Sequence, residues 1–199
     1  MLLLNGGKSS FFHDRADGPW GRYVQREAIP EGVRRARTKP GRLAIGGISM
    51  GGFGALHLAA SRPGRFCAVG GHSPAILTSD NFAAPVAFDD AEDFARHDLL
   101  ARARRGDPYR GTPLWLDVGT EDPFRATTAQ LAAELHRKVH VWPGKHDGEY
   151  SRSHMDAVPA LLRSGARGLS LNPSSPKTKG PANSPGPSHC SSEACGARP

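Results

Sequence analysis

The sequence predicts an α/β fold, a mostly parallel sheet with helices on both faces. Two observations carry that prediction. Short apolar runs of four to six residues alternate with segments of helical period, and strands joined through helices return parallel to one another. One of those runs passes directly into a helix through Gly47-Ile48-Ser49-Met50-Gly51, a glycine-flanked turn suited to a sharp strand-to-helix corner.

Taken in order, Met1-Leu-Leu-Leu4 reads as an interior strand running into Asn5-Gly6-Gly7. Its abrupt start predicts that strands are missing before it, leaving a sheet edge open to self-association. Arg34 to Lys39 is the densest basic run and reads as a solvated loop before the next strand. Residues 43–48 form a buried strand. Residues 51–61 form a helix with Ala55, Leu56, Ala59 and Ala60 available for one face, stopped by Pro63. Residues 66–70 are the next strand, with Cys67 buried in it. The stretch 75–112 is mixed, with a helix over 89–105 ended by Gly106-Asp107-Pro108. A strand over 114–118, a helix over 125–138, a strand over 139–142 and a helix over 150–163, interrupted by Pro159, complete the pattern.

The chain has 199 residues, of which only 38% are hydrophobic. That shortfall is concentrated after Gly165, where Ser, Pro, Gly and Ala dominate and too little apolar surface remains to offset the entropy of ordering. Residues 1–164 are therefore expected to form one domain, and residues 165–199 a disordered tail. The tail also carries +3 of the formal net charge of +7. The remaining excess, with no aromatics interleaved among the arginines, argues against nucleic-acid binding. No run of 18 apolar residues exists, so no membrane span is expected. Met1 to Leu4 is too short for a signal-peptide core, which points to a cytoplasmic chain. The three cysteines, Cys67 with Cys190 and Cys195 in the tail, make no disulfide framework and fit a reducing compartment.

The chemistry converges on Ser49. A serine on a strained turn at a strand end exposes its hydroxyl, and the backbone N–H of Met50 is then aimed at an oxyanion. The serine needs a base, and the base an orienting acid. Asp122 lies in the loop after the strand 114–118 and is the candidate acid. Glu121 is second, and Asp117 falls inside the strand. His146, in the loop after 139–142, is the candidate base, with His154 its competitor but placed in a helix. Gly71-His72-Ser73-Pro74 resembles a second elbow, but Pro74 has no N–H to donate, so Ser73 reads as a chance match. Ser174 to Lys177 imitates an S-x-x-K motif inside the tail. Gly7-Lys8-Ser9 lacks the earlier glycine of a phosphate loop, and no zinc-spaced Cys pair occurs. His146 and His154 with Asp147 and Asp156 form a weaker metal-binding alternative.

Four blocks, beginning at Asn5, Arg42, Pro113 and Val139, occur in an order that resembles the putative-esterase family of α/β-hydrolases. That family includes S-formylglutathione hydrolase and the mycolyltransferases. The resemblance implies an α/β-hydrolase fold lacking its amino-terminal strands, and hydrolysis or transfer of acyl esters without metal or organic cofactor. It matches the nucleophile to Ser49, the acid to Asp122 and the base to His146. Gly148 and Ser151 stand where the family usually has aromatics, whereas Tyr150 is kept. The family's early loop with the second oxyanion N–H is expected before Met1. Three readings follow: a serine esterase acting on a small acyl ester or thioester, an acyltransferase, or a catalytically impaired hydrolase fragment.

Overall fold

The computed structural model describes residues 2–37, 43–81 and 85–154. Its framework is a four-stranded parallel sheet. The strands are β3 (Ala44–Ile48), β4 (Ala68–His72), β5 (Leu114–Gly119) and β6 (His140–Trp142), side by side in chain order. A small antiparallel hairpin, β1 (Asp14–Arg15) with β2 (Gly18–Pro19), precedes it.

Period-two alternation along the strands separates the two faces. Ile45, Val69, Leu114 and Leu116 face one side, where α3 (Met50–Ala60) brings Phe53 and Leu56 against them. Helices α4 (Ala91–His97), α5 (Leu99–Arg104) and α6 (Arg125–Glu134) extend that core with Phe94, Leu99, Leu100 and Leu131. Trp115, Asp117 and His72 face the other side, where α7 (Gly148–His154) covers them with Tyr150. α3 is apolar all round and buried from Gly52 to Ala60, as expected for a helix lying under other elements.

The structure revises several sequence expectations. Residues 2–6 form no strand. Leu3 is exposed, and Leu4 instead packs against Phe12, Val24 and Leu58. The segment before β3, which carried no element in the sequence reading, is helical from Trp20 to Ala36. It comprises α1 (Trp20–Tyr23), a π-helical turn over Val24–Ala28 and α2 (Ile29–Ala36). Arg34 and Arg35 are therefore helical rather than in a loop, and both pair with Glu31 one turn away. Thr38 and Lys39 lie outside the described residues.

The helix expected over 89–105 is two helices divided at Asp98. That residue is extended, and its carboxylate accepts from the N–H groups of Leu100 and Ala101 at 2.8 and 3.0 Å. β4 begins and ends two residues later than expected, because in-register pairing with β3 on one side and β5 on the other carries it through Gly70 and Gly71. α6 ends at Glu134, short of 138. The last helix starts at Gly148 rather than residue 150, and its continuation past His154, like the tail from 165, lies outside the described residues.

Candidate active site

The ends of all four parallel strands point their loops to one edge, and the candidate residues gather there. Ser49 occupies the corner between β3 and α3 with φ 53° and ψ −117°, a conformation strained for a residue bearing a Cβ. The corner closes because Gly47 has no Cβ, since one placed there would run into the backbone carbonyl of Gly51. The turn is pinned on both sides. Ser49 N–H donates to the His72 carbonyl of β4 at 3.0 Å, and the Ser49 carbonyl accepts from Ala75 and Phe53 at 3.0 Å each. Met50 is the first residue of α3, so its N–H is among the donors that have no carbonyl within the helix.

The loop after β5 holds Asp122 in a tight turn. Its backbone N–H donates to the Gly119 carbonyl, and its carboxylate Oδ1 accepts from Phe124 N–H at 2.7 Å. The loop after β6 lies beside it, with Glu121 N–H donating to the Gly144 carbonyl at 2.9 Å. Gly119 lets these two loops touch, because a Cβ there would strike that same carbonyl oxygen. The contact brings His146 between serine and acid. Ser49 Oγ is 2.7 Å from His146 Nε2, and His146 Nδ1 is 2.9 Å from Asp122 Oδ2. With Nδ1–H donating to the carboxylate, Nε2 keeps the lone pair that accepts the Ser49 hydroxyl. Asp122 is wholly buried, His146 is partly open to solvent, and the Phe124 ring stands edge-on to the imidazole at 5.0 Å.

One residue at the site was set aside by sequence reasoning. Ser73 is not a stray serine: it is 2% exposed, adopts φ 47°, and its hydroxyl donates to Asp122 Oδ2. Ser73 Oγ also lies 3.2 Å from His146 Nδ1. Ser73 N–H in turn donates to the Asp117 carbonyl at 2.9 Å, which fixes the turn after β4. Three donors therefore meet on the buried Asp122 carboxylate, from Ser73, His146 and Phe124. The argument that Pro74 lacks an N–H bears only on a nucleophile; a residue that orients the acid needs no oxyanion donor. Its position straight after a strand, as at Ser49, was the available signal.

The alternatives occupy other places. Asp117 lies inside β5 as expected and is fully buried, accepting from Trp115 Nε1 at 2.6 Å and from the Tyr150 hydroxyl at 2.9 Å. Burial and that carboxylate push the Tyr150 hydroxyl pKa well above the ordinary tyrosine value. Glu121 is exposed, 3.8 Å from Lys145 Nζ. His154 sits on α7, stacked on Trp142 at 4.4 Å with Nδ1 bonded to the Tyr150 carbonyl. Its supposed metal partner Asp156 lies outside the described residues.

A family model described as "Putative esterase" matches residues 14–161. Among solved structures the chain is similar to a ferulic acid esterase (TM-score 0.64, 20% identity, 76% of this chain and 63% of that one). It is also similar to an S-formylglutathione hydrolase from Agrobacterium tumefaciens (TM-score 0.59, 22% identity, 79% and 62%). A third likeness is to MPT51 of Mycobacterium tuberculosis (TM-score 0.58, 16% identity, 79% and 74%). These likenesses give the fold as that of the α/β-hydrolases. The chain spans a little over three fifths of the length of the first two structures it matches.

Proposed function

The chain belongs to the putative-esterase family, and on that premise we propose that it is a serine hydrolase cleaving small carboxylic esters or thioesters through Ser49, His146 and Asp122. The observation that carries the reading is the unbroken line of hydrogen bonds from Ser49 Oγ through both imidazole nitrogens to a buried carboxylate.

In this reading His146 Nε2 removes the Ser49 proton as the hydroxyl attacks the ester carbonyl. The carbonyl oxygen becomes an oxyanion and takes a hydrogen bond from Met50 N–H. His146 then passes the proton to the departing alcohol or thiol, leaving an acyl-serine. A water gives its proton to the same nitrogen as it attacks the acyl carbon, and His146 then returns that proton to the departing Ser49 oxygen, releasing the carboxylic acid and free Ser49. Asp122 holds the tautomer with Nδ1 protonated and stabilises the imidazolium through both steps. The strained Ser49 backbone presents the hydroxyl to the edge and aims the Met50 N–H at the same side.

The test is a fluorophosphonate probe followed by peptide mapping, with turnover of p-nitrophenyl acetate in parallel. Labelling on Ser49, lost together with turnover in Ser49→Ala, is the expected result. Loss of the nucleophile lowers turnover by about a million-fold where the other groups act with it. Labelling on Ser73, or turnover surviving Ser49→Ala, would refute the assignment.

A further inference from the structure

A second concave site lies at the far end of α3, two helical turns and about 12 Å along the axis from Ser49. It is a cavity of about 300 Å³, at the small end of the range for ligand sites. Its rim carries Arg22, Arg26, Arg62, Arg96 and Arg102, against one lining carboxylate, Asp14. Asp14 is taken by Arg22 at 2.7 Å, and Arg96 reaches Asp93 at 3.4 Å and Glu92 at 3.9 Å. The Arg102 guanidinium donates to the neutral Ser61 hydroxyl at 3.2 Å. Arg26, Arg62 and Arg102 thus have no carboxylate partner among the described residues.

The inner wall is formed by the His57 side chain, 7% exposed. Burial, with His97, Arg102 and His13 nearby, holds the His57 pKa down at about 3.

From the uncompensated guanidiniums around one cavity, we propose that this cavity binds a small, multiply charged oxyanion of the phosphate-monoester or pyrophosphate class. Guanidinium forks match such oxygens two at a time, and the concave wall strengthens the field. A cation is the opposite reading, since ligand atoms of His13, Asp93 and the cavity-lining His97 lie within 4.8 Å of one another. Two of their ring nitrogens are already spent on carbonyls, His13 Nε2 on Ala87 and His97 Nδ1 on Asp93. The five guanidiniums also oppose a metal ion at the entrance. The site is separate from Ser49, so the proposal stands or falls independently of the esterase reading.

Isothermal titration with pyrophosphate, at ionic strength held constant with potassium chloride, tests it. The wild-type chain is expected to show one saturable site. Arg26 and Arg62 are both exposed, so their replacement leaves the fold intact. Each of Arg26→Ala and Arg62→Ala should weaken binding roughly three- to tenfold, and more together, with ester turnover unchanged. Arg110→Ala, exposed and outside the cavity, should bind as the wild type does. Absence of saturable heat, a double variant that binds like wild type, or binding that appears only with added divalent cation would each overturn the proposal.

Discussion

At the residue scale, the site is a set of side chains held by backbone turns and by hydrogen bonds to one another. His146 and His154 illustrate the difference that position makes. His146 sits in a loop with one nitrogen toward Ser49 and the other toward Asp122, whereas His154 is stacked on Trp142 and bonded to its own helix. His146→Ala should therefore abolish ester turnover nearly as fully as Ser49→Ala. His154→Ala should leave turnover within a few-fold and lower the thermal midpoint through lost packing. Turnover assays on the two variants check this, and the reverse ranking would move the base to α7. Ser73→Ala removes one of three donors to the Asp122 carboxylate. A hydrogen bond to a charged group contributes about 1.5–3 kcal/mol, so kcat should fall roughly ten- to a hundredfold. KM should stay near wild type because, in the proposed mechanism, Ser73 orients Asp122 and makes no contact with the ester. A rise in KM with kcat preserved would place Ser73 in the substrate site instead.

At the element scale, the ends of helices show where local chemistry was readable and where it was hidden. Asp98 caps α5, yet in the sequence it lies inside a continuous helical pattern. Only its extended backbone turns one helix into two. α6 ends in a paired closure, with His136 N–H donating to the Ala133 carbonyl and Arg137 N–H to the Ala132 carbonyl. Such closures usually carry glycine at the left-handed position, but here that residue is His136 with φ 51°. The usual stop signal is absent from the sequence, which is why the helix reads four residues too long. His136 is exposed, so His136→Gly should relieve the left-handed strain with little lost packing. The expected gain is up to about 1 kcal/mol, read as a raised thermal midpoint. A lowered midpoint would mean that the histidine ring contributes more than its backbone costs.

At the scale of the whole molecule, stability should depend on pH through the histidines buried between α3, α4 and the amino-terminal segment. His57 is kept neutral in the fold, its pKa lowered from 6.5 to about 3, first by burial and then by His97, Arg102 and His13. His97 is lowered too, chiefly by burial and His13, although its bond to the Asp93 carbonyl and the Asp93 charge oppose this. Above pH 6.5 both states of the chain hold these rings neutral, and the stability is fully present. As pH falls from 6.5 toward 3 the unfolded chain takes up protons that the folded chain refuses, and stability is lost. The His57 displacement sets a ceiling of about 5 kcal/mol, with the real loss smaller. Denaturant melts at pH 7 and pH 5 should show the wild type weakening, and His57→Gln should flatten that slope. An equal slope in the variant would assign the acid sensitivity to other groups.

The sequence by itself determined the parallel αβ framework, the corner at Ser49, and the loops that carry Asp122 and His146. Each of those is written locally. Apolar runs of strand length fix the sheet, the glycine at 47 lets the corner close, and turn residues after the two later strands fix the loops. Tertiary structure alone decided what depends on contacts between distant segments. The helical course from Trp20 to Ala36 includes a π-helical turn and carries Pro30 and Gly32, which mask the apolar spacing of Ile29, Val33 and Ala36. Met1 to Leu4 has the composition of a strand, but residues 2–6 form none, and Leu4 settles on a helix-side cluster. Ser73 reaches Asp122 across 49 residues of sequence, and Arg26 meets Arg62 and Arg102 around one cavity only after three separate segments have packed. Local propensity and spacing are properties of a short window of sequence; the convergence of strand ends and helix termini is set by the sheet that joins them.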